Sequence, residues 1–210
     1  SSSNQYKPIY ASDTSNINTI FTPAVYIYER GAMFISMLRK LLGDDNFFQA
    51  LRNYQSDPLL MGGNAYTNDV KRHMEAVSGY DLTQMFDDWI YNTGVARYNG
   101  AKWNTSGANT VLYLPQTTQY SSLSHFNMPV VVKFSRTSPT RDTTVVLYDD
   151  NGILNYINDG VLTSSGTNIV QFKLSFTPTT VTFDPENELI ASGIFTKDAG
   201  LVLVATNAVE

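Results

Sequence analysis

The feature that most constrains this chain is a change of hydrophobic period near residue 97. Before it, apolar residues recur every three or four positions, as in a helix with one face in a core. After it, they alternate in short β-branched runs, as in half-buried strands. Charge does not mark the same divide, since residues 1–97 carry 8 basic and 10 acidic side chains and 98–210 carry 6 and 9. The expected fold class is therefore α+β in two domains. An α-helical subdomain of about four helices occupies residues 1–97, opened by an extended Ser/Asn/Thr-rich lead-in over 1–21. An antiparallel immunoglobulin-like β-sandwich occupies 98–210.

Local signals place the helices. Thr22-Pro23 reads as a hydroxyl cap followed by proline at the first helical position. Ile27, Phe34, Leu38 and Leu41 form the stripe behind it, Ile35 and Leu42 widen it, and Gly43 ends the helix. Asp44 is expected to cap a second helix over 45–56, with Phe47, Phe48, Leu51 and Tyr54 inward and Asp57-Pro58 as the stop. Thr67 is expected to cap a third, carrying Val70, His73, Met74 and Val77 on one face up to Gly79. Asp81 and Gln84 read as a capping box for a fourth, in which Leu82, Met85, Phe86, Trp89 and Ile90 share a face.

The strand candidates are Val111–Leu114, Pro129–Phe134, Thr143–Tyr148, Ile153–Ile157, Asn168–Phe176, Thr179–Phe183 and Leu201–Ala205. Between two of them, Asn151-Gly152 supplies the positive φ angles of a type I′ hairpin.

Composition narrows the chemistry. Hydrophobic residues make up 42% and charged residues 16%, enough apolar surface for a core. There is no cysteine, which excludes disulfides, thiolate metal sites and thiol catalysis. A net charge of −5 argues against a nucleic-acid surface. No apolar run approaches the ~18 residues of a membrane span. Zero Cys with abundant Asn, Thr, Ser and Tyr favours a secreted or cell-envelope bacterial protein.

No complete active site emerges from spacing alone. The two histidines, His73 and His125, lie far apart and neither stands in a His-Glu-x-x-His pattern. His73 reads as a part-buried helix residue and His125 as a surface-loop residue. Asp87-Asp88 reads as a solvated helix face, because adjacent helix positions diverge. Asp149-Asp150-Asn151-Gly152 resembles the start of a calcium loop, but Gly160 stands where the bidentate Glu would fall. Asp184, Glu186 and Glu188 offer at most a weak cation site. No Gly-x-Ser-x-Gly elbow or phosphate-binding glycine pattern occurs.

Longer blocks carry a resemblance. Val25-Tyr26-Ile27-Tyr28-Glu29-Arg30-Gly31-Ala32, then Met37-Leu38-Arg39 and Leu42-Gly43-Asp44, follow one another in order. Ala65–Asp69, Ser78–Leu82, Phe86–Tyr91 and Thr93-Gly94 continue the series, with Phe126–Val130 and Val181–Pro185 in the sandwich. Together these blocks resemble the aminopeptidase N-type (gluzincin) zinc metallopeptidases, over the end of the catalytic domain and the β-sandwich that follows.

The resemblance implies that Tyr28 matches the family's catalytic tyrosine, with Arg30 where Lys is usual. A phenolic O–H can donate a hydrogen bond to an oxyanion, so Tyr28 and zinc would share the charge that develops when a metal-activated water attacks a peptide carbonyl. The family's His-Glu-x-x-His, its third zinc ligand and its Gly-x-Met-Glu-Asn loop are absent from these residues. The expectation is a C-terminal fragment of a zinc aminopeptidase acting on peptides, with no zinc bound by this chain and no activity alone. The alternative is a non-catalytic homologue, or a β-sandwich module that binds protein or glycan.

Overall fold

The computed structural model describes residues 6–11, 13–21, 28–106, 109–158 and 161–201. Helices come first: α1 spans Ile17–Phe21, α2 Arg30–Leu42, α3 Asp44–Gln55 and α4 Thr67–Ser78. α5, Thr83–Phe86, runs on as a π-helical turn over Asp87–Tyr91. The helix start expected at Thr22-Pro23, and Ile27 of its stripe, lie outside the described residues.

α2 buries Phe34, Met37, Leu38, Leu41 and Leu42. Ile35, expected to widen that stripe, stays 40% exposed, whereas Leu42, two turns further on at nearly the same angle, is buried. A single residue, Gly43, separates α2 from α3 at φ +74°, a conformation that favours glycine. Asp44 therefore begins α3 instead of capping it, and its carboxylate meets the Arg39 guanidinium at 2.7 Å. Phe47 is buried, but Phe48 points outward beneath the same guanidinium, 5.2 Å from ring centroid to Cζ.

Thr67 likewise starts α4, and Tyr66 takes the cap position, its N–H donating to Asp69 Oδ2 at 2.9 Å. The reciprocal box expected of Asp81 and Gln84 does not form. Asp81 Oδ1 accepts the Thr83 N–H, and Gln84 reaches forward to Asp88. The core face of this last helix is as expected, with Leu82, Met85, Phe86, Trp89 and Ile90 all buried.

Strands follow: β1 Val95–Tyr98, β2 Lys102–Ser106, β3 Asn109–Tyr113 and β4 Thr117–Gln119. Then come β5 Met128–Thr137, β6 Thr140–Asp150, β7 Ile153–Asn158 and β8 Val161–Ser164. β9 Ile169–Lys173, β10 Thr180–Phe183, β11 Ala191–Gly193 and β12 Thr196–Lys197 complete the order. They make a five-stranded sheet (β10-β5-β6-β7-β8), a four-stranded sheet (β12-β2-β3-β9) and a three-stranded one (β11-β1-β4). Pairing is mostly antiparallel, with parallel contacts where β11 meets β1 and β12 meets β2. Asn151 and Gly152 turn the β6–β7 hairpin at φ +49° and +85°. Beyond Leu201, the last expected strand lies outside the described residues.

The two larger sheets face each other through aromatic rings. Phe134 of β5 and Tyr156 of β7 both pack on Phe172 of β9, at 5.3 and 5.7 Å between centroids. β5 is buried continuously from Met128 to Val132. One of its faces meets the opposite sheet and the other meets α2, which also reaches β6. Such a strand loses the alternation of a half-exposed one.

Candidate functional site

Tyr28 and Glu29 stand in a π-type turn immediately ahead of α2. The Tyr28 side chain is 56% exposed, and no hydrogen bond ties its phenol to any described residue. A free phenolic O–H at a surface can meet an incoming oxygen. Two residues on, Arg30 has the opposite character and is only 5% exposed. Its Nη1 donates to the Gly94 carbonyl at 2.8 Å and its Nη2 to the Asn92 carbonyl at 3.3 Å. Cζ sits 5.2 Å from the centre of the Trp89 ring, and Nε is buried without a partner. Burial pulls the Arg30 pKa down to about 10, which still leaves it charged near neutral pH.

Glu29 and Arg30 line a cleft of about 350 Å³ shared with Tyr6, Arg97 and the chain at Leu189–Ala191. Arg97 is fixed there by Gln119 Oε1 at 2.6 Å and Ser192 Oγ. The lead-in crosses the same region, where Tyr6 accepts the Gly94 N–H and the Tyr10 N–H donates to Ile90. A larger cleft of about 720 Å³ opens where the α2–α3 corner meets β6, β7 and β9.

Behind Arg30 the π turn is joined to the sheets. Trp89 Nε1 donates to the Asn127 carbonyl at 2.8 Å, and Asp88 Oδ2 accepts the Asn127 N–H at 2.8 Å. Asn127 also bridges to the hairpin through Asp150 Oδ1 and the Asn151 N–H. Asp88 is thus not on a solvated face, as expected from its neighbour Asp87, but 2% exposed. Burial raises its pKa, opposed by the hydrogen bonds from Asn127 and Gln84. Asp88 lies within the π-helical stretch Asp87–Tyr91, where α-helical spacing no longer predicts which side chains turn inward.

His125 also departs from the surface loop expected of it. Its Nε2 lies 2.9 Å from Asp149 Oδ1, and its side chain is 14% exposed. Asp149, fully buried, further accepts Tyr98 Oη at 2.6 Å, Gln116 Nε2 at 3.1 Å and the Gly152 N–H at 3.0 Å. With its oxygens so occupied, Asp149 serves the hairpin fold.

His73 is buried on α4 as expected, with Nε2 3.0 Å from Asp57 Oδ2. Asp184 is taken up by the backbone, accepting the Glu188 and Leu189 N–H groups at 3.0 Å each. Among the described residues no three His, Cys, Asp or Glu side chains gather as a metal ion would require. No described helix is long and apolar enough to cross a membrane.

Residues 1–89 match the model of the peptidase family M1 domain. An aminopeptidase N of Lactococcus lactis subsp. lactis is 30% identical over 83 residues, covering 40% of this chain and 9% of that protein. Both support the M1 family. The family match ends at Trp89, so it takes in the helices and Tyr28 and stops short of the strands. This chain spans only about 9% of the length of the aminopeptidase it resembles.

The residues missed from sequence are those whose role depends on distant partners. Arg97 and Asn127 carry no motif of their own, and Asp149 stands out only in a run that resembles the start of a calcium loop. Asn127 falls in Phe126–Val130, a block singled out by sequence, beyond the residues 1–89 that match the family domain.

Proposed function

We propose that this chain is part of a zinc-dependent aminopeptidase of the M1 type, releasing N-terminal residues from peptides, and that Tyr28 stabilises the transition state. The observation that carries the reading is the M1 match over residues 1–89, which spans an exposed phenol with no hydrogen bond to a described residue. In this role Tyr28 donates its O–H to the oxygen of the scissile carbonyl as negative charge develops there. A donor aimed at that atom acts more strongly on the transition state than on the ground state.

No described cluster of side chains suits a zinc ion. The contribution assigned to this chain is carried by its phenol, and the isolated chain is proposed to be inactive. The sheets following the helices would act mainly as a buttress, coupled to the π turn through Asn127.

The test is Tyr28→Phe in the longer protein that carries this chain. Turnover on an aminoacyl amide should fall by about 10²–10³, the usual cost of one oxyanion donor. Stability should change by less than about 0.5 kcal/mol, because the exposed side chain loses no hydrogen bond to a described residue. Unchanged turnover would refute the role. For the isolated chain, stoichiometric zinc uptake in a calorimetric titration, or real turnover, would overturn the proposed inactivity.

A further inference from the structure

We propose that Arg30 is a positioning residue for Tyr28, holding the start of α2 in the place from which the phenol can act. The inference rests on the reading of Tyr28 as an oxyanion donor. It begins from an imbalance. Arg30 buries a full positive charge with no carboxylate within ion-pair distance among the described residues, and one of its donors, Nε, is unsatisfied. Burial of this kind is unfavourable unless the geometry gained offsets it.

What is gained is a three-point fixture between segments about sixty positions apart. The two ends of the guanidinium fork hold the carbonyls of Asn92 and Gly94, and its plane lies near the Trp89 ring. Trp89 in turn holds the Asn127 carbonyl. The first residue of α2 is thereby referenced to the π turn and, through it, to β5. Tyr28 precedes Arg30 by two residues, a rise of only ~3 Å along a helix. Its own side chain makes no hydrogen bond to a described residue, so its location is inherited from the backbone that Arg30 anchors. Catalytic donors must be held within ~0.5 Å of their working position. A displacement of ~1 Å can cost ~10²-fold in rate. A lysine has one compact ammonium and cannot span two carbonyls as a planar fork does, so the arginine is specific to this attachment.

The experiment is a double-mutant cycle in the longer protein, using Arg30→Met, Arg30→Lys, Tyr28→Phe and the Tyr28→Phe/Arg30→Met pair. Arg30→Met should lower kcat by ~10- to 100-fold with KM held within about twofold. Arg30→Lys should recover part of that loss. In the Tyr28→Phe background Arg30→Met should have little further effect on kcat, while lowering the thermal midpoint as much as it does alone. If kcat survives Arg30→Met, or falls by the same factor with and without the phenol, Arg30 does not act through Tyr28 and the inference is overturned. Should Arg30→Met fail to fold, Arg30→Lys takes its place in the cycle, with the same requirement that its effect vanish in Tyr28→Phe. Wild-type turnover in Tyr28→Phe alone is a different failure, which removes the reading of Tyr28 and this inference with it.

Discussion

Asp149→Leu tests whether the hairpin junction is held by a satisfied polar network. Tyr98 and Asp149 are both fully buried and share a 2.6 Å hydrogen bond. Leucine in place of Asp149 removes the acceptor and strands the Tyr98 O–H, since Gln116 Nε2 beside it is itself a donor. Without the carboxylate, His125 Nε2 no longer has to donate and, in its other tautomer, can accept the Gly152 N–H at 3.0 Å, so the hydroxyl is the principal orphan. A stranded buried donor costs about 1–3 kcal/mol, and losing the hydrogen bonds to the carboxylate costs about 1.5–3 more, so about 2.5–6 kcal/mol is expected. Tyr98→Phe should cost about 1–3 kcal/mol, because Asp149 retains its other donors and the ring keeps its packing on Phe183.

The double variant has no hydroxyl to strand. Its loss should fall short of the sum of the two single losses by about 1–3 kcal/mol. Urea unfolding followed by tryptophan fluorescence, with circular dichroism to check coincidence, measures all four corners. Additivity within about 0.5 kcal/mol would refute the account of Asp149 as the acceptor that satisfies Tyr98.

Other expectations are simpler. Gly94→Ala should lose at least about 2 kcal/mol, since φ is +107° and an added Cβ would lie 2.8 Å from the Gln119 carbonyl oxygen and closer still to Ser121 Cβ. A thermal midpoint within a degree of wild type would contradict it. Asp88→Ala should cost about 1–3 kcal/mol by leaving the Asn127 N–H unpaired, whereas Asp87→Ala, on an exposed side chain, should stay within about 0.5 kcal/mol in the same denaturation assay. The Arg72 guanidinium, with the Leu59 N–H, holds the Asp57 carboxyl down to about 2, below the usual ~3.9. That stabilisation is complete above about pH 4 and disappears as pH falls toward 2. Thermal midpoints should therefore drop more steeply over pH 4 to 2 in wild type than in Asp57→Asn, and parallel curves would exclude the link.

How much of this was legible in the chain depends on the range of the interaction. Helical stripes such as Leu82–Ile90 are written in adjacent turns, and the Asn151-Gly152 hairpin in two residues, so both were readable. Cap positions shifted by one residue at Asp44 and Thr67, because a terminus is decided by a few competing hydrogen bonds. The strands that escaped, such as Lys102–Ser106 and Ala191–Gly193, are short and lack a β-branched run. Neighbours far along the chain hold them in place, as where β11 lies against β1.

The candidate site divides along the same line. Tyr28 could be singled out from its block, because a motif is local. Its exposure, and the attachment of Arg30 to Asn92 and Gly94, required the folded chain. Sequence alone determined the order of helices before strands, since hydrophobic period is a property of neighbouring residues. Only tertiary structure decided that Asp88, His125 and Asp149 are buried and what satisfies them, because burial depends on segments that sequence does not bring together.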